Sequence, residues 1–225
     1  MNSFAIIGAA YEGDEYQGSV YVFERGVEEW DQIQKIIPPT PTPYPHQFGR
    51  VVLAEDSLLF VTTLGRDSVY IFCWDNDEYV HTQTIAPDDY NNDHGFGTAM
   101  AIEDSILVSG ARIEDHVQMN VGSFYIFRLE ADGYWYQQQR IFPYNGDTLD
   151  AFGQSVAIQG PHIAAGSEHD PSGAVYVYNF NPDHYYEIQL LPHDRPVEIP
   201  YTGGSFTYDV ALINLWEEFI AGDAW

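Results

Sequence analysis

The residues richest in chemistry are oxygen donors. Asp89, Asn91 and Asp93 alternate just ahead of Gly95. Carboxylate and amide oxygens at every second position can bend around a hard cation, and Ca²⁺ takes about six to eight of them. The segment ends without a bidentate carboxylate and has no second copy, so the expectation is no cofactor, with Ca²⁺ at Asp89, Asn91 and Asp93 as the one metal site on offer. Tyr11, Tyr16, Tyr44, Tyr90, Tyr144 and Tyr201 stand in stretches rich in Gly, Asp, Asn and Pro. A tyrosine joins an apolar ring to a hydroxyl, which suits contact with protein or sugar. The histidines are scattered, and Cys73 is the single cysteine, so no intrachain disulfide can form. No HExxH, nucleophile elbow, P-loop or CxxC is present. With 34 acidic residues some carboxylate pair always exists, so no chosen pair argues for glycoside hydrolysis. The chain is expected not to be an enzyme.

Charge narrows the partners. Against those 34 acidic residues stand 8 lysines and arginines, a net charge of −26 over 225 residues. A surface this negative repels nucleic-acid phosphate and anionic lipid. No apolar run approaches the ~18 residues that cross a bilayer as a helix. The opening MNSFAIIGAAYEGDEY has neither a basic start nor a long apolar core and does not read as a signal peptide. The partners expected are therefore protein or glycan, with no nucleic acid and no membrane insertion. The chain reads as either intracellular or a piece of something longer.

The elements that must position these residues recur. A Phe-Gly phrase appears at Phe48-Gly49, Phe96-Gly97 and Phe152-Gly153, with a degenerate copy at Phe206-Thr207. Each is followed by an apolar run ending in small residues: LLFVTT, ILVSGA, IAAGS and FIAGDA, with AIIGAA opening the chain. Next comes GSVYVF, DSVYIF, GSFYIF or GAVYVY. Last is an aromatic followed by Gln: Trp30 and Gln34, Tyr79 and Gln83, Trp135 and Gln139, Tyr185 and Gln189. All four signals are short, rich in Val, Ile, Tyr and Phe, and bounded by turn residues, so each reads as a strand. No window keeps a 3.6-residue period. AIIGAAYEG could suggest a nucleotide-binding turn, but such a turn needs a helix next, and GSVYVF is a strand.

Four strands per unit of about fifty residues give an antiparallel meander, and meanders stacked around an axis give a β-propeller. The expected fold is all-β: a propeller of four-stranded antiparallel blades, about four blades plus a partial fifth. The repeats run approximately over 1–47, 48–95, 96–151, 152–205 and 206–225, in a single domain over 1–225. A sandwich would not need near-identical four-strand units. The first unit has three strands, the next three have four and the last has two, a total that does not close into whole blades. A fragment of a larger propeller is expected, with unpaired blade surface at its ends.

The fixed order of the Phe-Gly phrase, the Gly-Ala run, GSVYVF and the aromatic with Gln resembles the FG-GAP repeat of bacterial and protist surface proteins. More distantly it resembles the integrin α-subunit propeller. The resemblance covers nearly the whole chain. It implies an extracellular or cell-surface propeller used for adhesion or ligand binding. The integrin-like repeats carry a calcium loop between strands 1 and 2. Here that turn is AIEDSIL or AIQGPHI, which has too few oxygens.

In such a blade the Phe fills the gap between neighbours and the Gly permits close backbone approach. Gly8-Ala9 and Gly110-Ala111 are expected to do the same near the axis, with Trp30, Tyr79, Trp135 and Tyr185 as outer-strand anchors. In a meander the 2–3 turns and the 4–1 crossovers share one face. The long, irregular segments all fall there, and so do the six tyrosines named above. That face is where recognition is expected. The alternatives are a lectin-like sugar-binding propeller and a hydrolase with an axial site.

Overall fold

The computed structural model describes residues 4–13, 16–39, 47–63, 68–88, 95–115, 119–143, 146–168, 173–180 and 189–190. Among them there is no α-helix. Blade 1 is β1 (Phe4–Ala9), β2 (Ser19–Arg25) and β3 (Trp30–Ile36). Blade 2 is β4 (Val52–Glu55), β5 (Leu58–Thr63), β6 (Ser68–Asp75) and β7 (Glu78–Ile85). Blade 3 is β8 (Phe96–Glu103), β9 (Ile106–Ala111), β10 (Ser123–Leu129) and β11 (Trp135–Ile141). Blade 4 is β12 (Ser155–Gln159), β13 (His162–Ser167), β14 (Ala174–Asn179) and β15 (Gln189–Leu190). Within each blade the strands pair antiparallel in sequence order, as a meander should. The fold is a β-propeller arrangement of such blades. The partial fifth unit, residues 206–225, lies outside the described residues.

Short turns follow from local chemistry. Asp56 and Asp104 take positive φ in the 1–2 turns, a conformation that Asp tolerates better than most residues. Asn76 and Asp77 both have positive φ, the type I′ geometry whose twist matches a two-residue hairpin between β6 and β7.

The apolar cores lie between blades rather than within them. Val20, Val22 and Ile36 of blade 1 form one core with Phe48, Leu59, Val61, Tyr70, Phe72 and Tyr79 of blade 2. Phe60, Val69 and Ile71 of blade 2 join Phe96, Leu107, Tyr125, Phe127 and Trp135 of blade 3. Val108, Phe124 and Ile126 of blade 3 join Phe152, Ile163, Tyr176 and Tyr178 of blade 4. Alternation explains this, because successive side chains of each third strand point to opposite faces, one toward each neighbouring blade. Phe48, Phe96 and Phe152 are fully buried at the three junctions. Each meets two aromatics of its own blade's third strand, as in the 5.6 Å and 6.2 Å ring contacts of Phe48 with Tyr70 and Phe72.

Two details refine the sequence reading. Phe48-Gly49 and Phe152-Gly153 precede their strands instead of opening them, while Phe96-Gly97 begins β8. Phe48 and Phe152 form parallel bridges to Gly18 and Gly122 of the preceding blade. Gly8 and Gly110 are needed for a specific neighbour. A Cβ at either would collide with the carbonyl oxygen of Gly49 or Gly153 in the next blade.

At two junctions the repeated glutamine is a clamp between blades, a role the spacing alone did not reveal. Gln34 Nε2 donates to the Tyr79 carbonyl at 3.0 Å, and its Oε1 accepts from the Tyr79 N–H at 2.8 Å. Gln83 does the same to Trp135, at 2.8 Å both ways. The ladder register shifts at Val22/Phe23, Ile71/Phe72 and Ile126/Phe127, the same repeat position each time. The shift leaves Ile33, Thr82 and Gln138 as extra residues just before Gln34, Gln83 and Gln139. A bulge re-aims the side chain beside it. At Gln34 and Gln83 the side chain beside the bulge is the clamp.

Candidate binding face

At two junctions, backbone hydrogen bonds tie the 2–3 loop of one blade to the 4–1 crossover that follows. Gln47 N–H donates to Tyr16 O at 3.0 Å and Phe48 N–H to Gln17 O at 3.1 Å. At the second of them, Leu149, Ala151 and Phe152 N–H donate to Met119, Asn120 and Val121 O at 3.0, 3.2 and 2.9 Å. Loops of the two kinds therefore share a face.

Beneath these loops sits a polar anchor that appears twice. In blade 1, Glu12 Oε1 accepts from Tyr21 OH at 2.5 Å and from Lys35 Nζ at 2.9 Å. In blade 3, Glu114 accepts from the Ser123 hydroxyl, from Tyr125 OH at 3.0 Å and from Arg140 Nη1 at 3.0 Å. The backbone repeats as well. Gly18 N–H donates to Glu12 O at 2.9 Å and Gly122 N–H to Glu114 O at 3.0 Å. Both loops are thus pinned from side chain and main chain together. The Tyr21 and Lys35 hydrogen bonds hold the Glu12 carboxyl down at about 2. The same Glu12 bond pushes the Lys35 ammonium up. Burial pushes the Arg140 guanidinium down. Glu114 is almost fully buried, so its charge requires these partners.

Above the first anchor stand two of the predicted tyrosines. Tyr11 and Tyr16 are exposed and meet edge to face, with ring centroids 5.8 Å apart. Tyr16 holds a positive φ of 55°, and Arg50 Nη1, from the crossover into blade 2, donates to Tyr11 OH at 3.3 Å. Lys35 lies 5.3 Å from the Tyr21 ring centre. The structure therefore gathers Tyr11 and Tyr16 into one patch with Arg50 nearby. Tyr44, Tyr90, Tyr144 and Tyr201 lie outside the described residues, as do Asp89, Asn91 and Asp93. Among the described residues no three or more His, Cys, Asp or Glu side chains cluster to hold a metal ion.

Glu12, Lys35, Glu114, Arg140 and Arg50 are the residues that sequence reasoning missed. The signal was there in two units: Gly-Ala, Glu three residues after that Ala, Gly-Ser-x-Tyr, then Lys or Arg directly after the Gln of the fourth strand.

The repeat can now be set beside known proteins. The model for the FG-GAP repeat matches residues 79–127 and 135–178. The chain carries FG-GAP repeats. Each match starts in the fourth strand of one blade and ends in the third strand of the next. An FG-GAP unit so framed joins the clamping strand to the Phe-Gly strand and straddles a junction. No curated protein matches the chain in sequence. Among solved structures, a candidate 6-phosphogluconolactonase from Bacteroides uniformis ATCC 8492 superposes with a TM-score of 0.58 at 13% identity, over 88% of this chain and 57% of that one. Another, from Bacteroides fragilis NCTC 9343, gives 0.54 at 10% identity, over 86% and 59%. The chain thus spans less than two thirds of those proteins, and the likeness is one of fold.

Proposed function

We propose that this chain is a non-catalytic binding module, extracellular or at the cell surface, which engages a protein or glycan through the loop face of its FG-GAP blades. FG-GAP repeats occur in extracellular proteins, and among the described residues no helix is long and apolar enough to cross a membrane. The observation that carries the reading is the exposed Tyr11–Tyr16 pair on a loop pinned by Glu12. Rigid, exposed aromatics gain contact area at small entropic cost, which is how tyrosine becomes a dominant binding residue. The solved neighbours' name supplies a lactonase as the alternative, and 10–13% identity carries only their fold.

A glycan array and a protein pull-down with the whole chain identify the ligand class. For whichever ligand binds, Tyr11→Ala should weaken it by about tenfold, the ~1.4 kcal/mol expected of a contributing aromatic, with Tm unchanged. Binding that is indifferent to both Tyr11→Ala and Tyr16→Ala would place recognition elsewhere. Turnover of a lactone or glycoside would reject the non-catalytic reading.

A further inference from the structure

The Tyr11–Tyr16 patch holds a charge as well as two rings. Arg50 is exposed, and its only recorded partner is the Tyr11 hydroxyl, to which Nη1 donates at 3.3 Å. Among the described residues no carboxylate pairs with this guanidinium, although acids outnumber bases 34 to 8 in the chain. The cations of the two anchors differ, since Lys35 is bound to Glu12 and Arg140 to Glu114. A guanidinium carries five N–H donors in a planar fork. Tyr11 engages one of them, which leaves the rest of the fork for a ligand.

The patch is also braced. Its two segments are stitched together where Gln47 N–H donates to Tyr16 O and Phe48 N–H to Gln17 O. On either side of Arg50 the backbone is tied to buried Thr62. Gly49 N–H donates to Thr62 O at 3.1 Å, and Val51 N–H donates to Thr62 Oγ1 at 3.0 Å. A cation and two rings held in one place cost little entropy to engage.

We propose, on the reading that Tyr11 and Tyr16 form the recognition surface, that this patch binds a glycan through one carboxylate-bearing sugar. Arg50 takes the carboxylate, for which its fork is the bidentate match. The tyrosine rings take the C–H faces of the sugar, and their hydroxyls take its hydroxyls. Charge selects the ligand further. A chain of −26 repels an acidic peptide or a polyanion, which brings several negative charges at once. A single carboxylate on an otherwise neutral glycan brings the one charge that Arg50 matches.

An array of oligosaccharides that end in one uronic or sialic acid, each printed beside its methyl ester, tests this with the whole chain. The ester keeps the rings and removes the charge. One or more free acids should bind at least about tenfold more tightly than their esters. Arg50→Gln should bring such an acid down to the affinity of its ester and leave the ester's own affinity unchanged, with Tm unchanged. Arg50→Lys, a point charge without the fork, should recover part of the loss. If acid and ester weaken together in Arg50→Gln, Arg50 only supports Tyr11, and the carboxylate contact is overturned. Acids and esters that bind alike, an Asp-rich peptide that binds more tightly than every acidic glycan, or no acidic glycan bound at all would each overturn the proposal. A neutral glycan or a protein that is weakened by Tyr11→Ala and not by Arg50→Gln keeps the tyrosine surface and removes the carboxylate. Absence of any ligand that depends on Tyr11 or Tyr16 removes both.

Discussion

Glu12 and Glu114 do the same work at different depths. Each holds a loop to two strands of its own blade, β2 and β3 or β10 and β11, through a tyrosine and a cation, but Glu114 is buried and Glu12 is a third exposed. Their partners are far apart in the chain, 23 residues for Glu12 to Lys35 and 26 for Glu114 to Arg140. A reading that follows apolar alternation and Phe-Gly spacing passes over such pairs, because a lone acidic residue among 34 carries no signal until its repeat position is compared. A pH prediction belongs here. Glu12 sits at about 2 when folded against 4.5 unperturbed. A depressed carboxyl contributes stability that is complete above the unfolded value and is lost as the folded state becomes protonated. Thermal unfolding should therefore show Tm declining as pH falls from about 4.5 to about 2, and Glu12→Gln should flatten part of that decline. Identical Tm profiles for the two proteins over this window would remove Glu12 from the account.

At the level of strands, the sequence disclosed most of the pattern. The order of four strand types, their pairing and the placement of Phe48, Phe96 and Phe152 between blades all follow from alternation and from a phrase repeated at the same point of each unit. The bulge and the clamp did not follow. One extra residue in a fourth strand looks like any other residue until its partner strand is known, and Ile33, Thr82 and Gln138 share no chemistry. The aromatic–Gln spacing was legible as a recurrence, but its partner lies one unit away, 45 residues for Gln34 and 52 for Gln83. Removing a clamp should leave two main-chain groups of a buried residue without a partner. Gln83→Ala should therefore cost about 1–3 kcal/mol in urea unfolding, while Gln32→Ala on an exposed strand position should cost under about 0.5 kcal/mol. Equal effects of the two substitutions would mean that the Gln83–Trp135 contact contributes nothing special.

For the whole molecule, stability resides at the junctions. No blade has a core of its own, so a blade is ordered by its neighbours, as in other repeat architectures where nearest-neighbour interfaces supply the cohesion. The loop face is then a by-product of stacking: at two junctions the 2–3 loop is stitched to the next crossover, and at the first of these the loop carries Tyr11 and Tyr16. Binding on that face should depend on the blade beneath it more than on the loop sequence itself. The most direct test is a matched series, Phe48→Ala, Phe96→Ala and Phe152→Ala, each followed by urea unfolding. The three rings fill equivalent, fully buried sites, so each substitution should cost about 3–5 kcal/mol. A cost below about 1 kcal/mol at any one of the three would contradict an architecture in which every junction is sealed the same way.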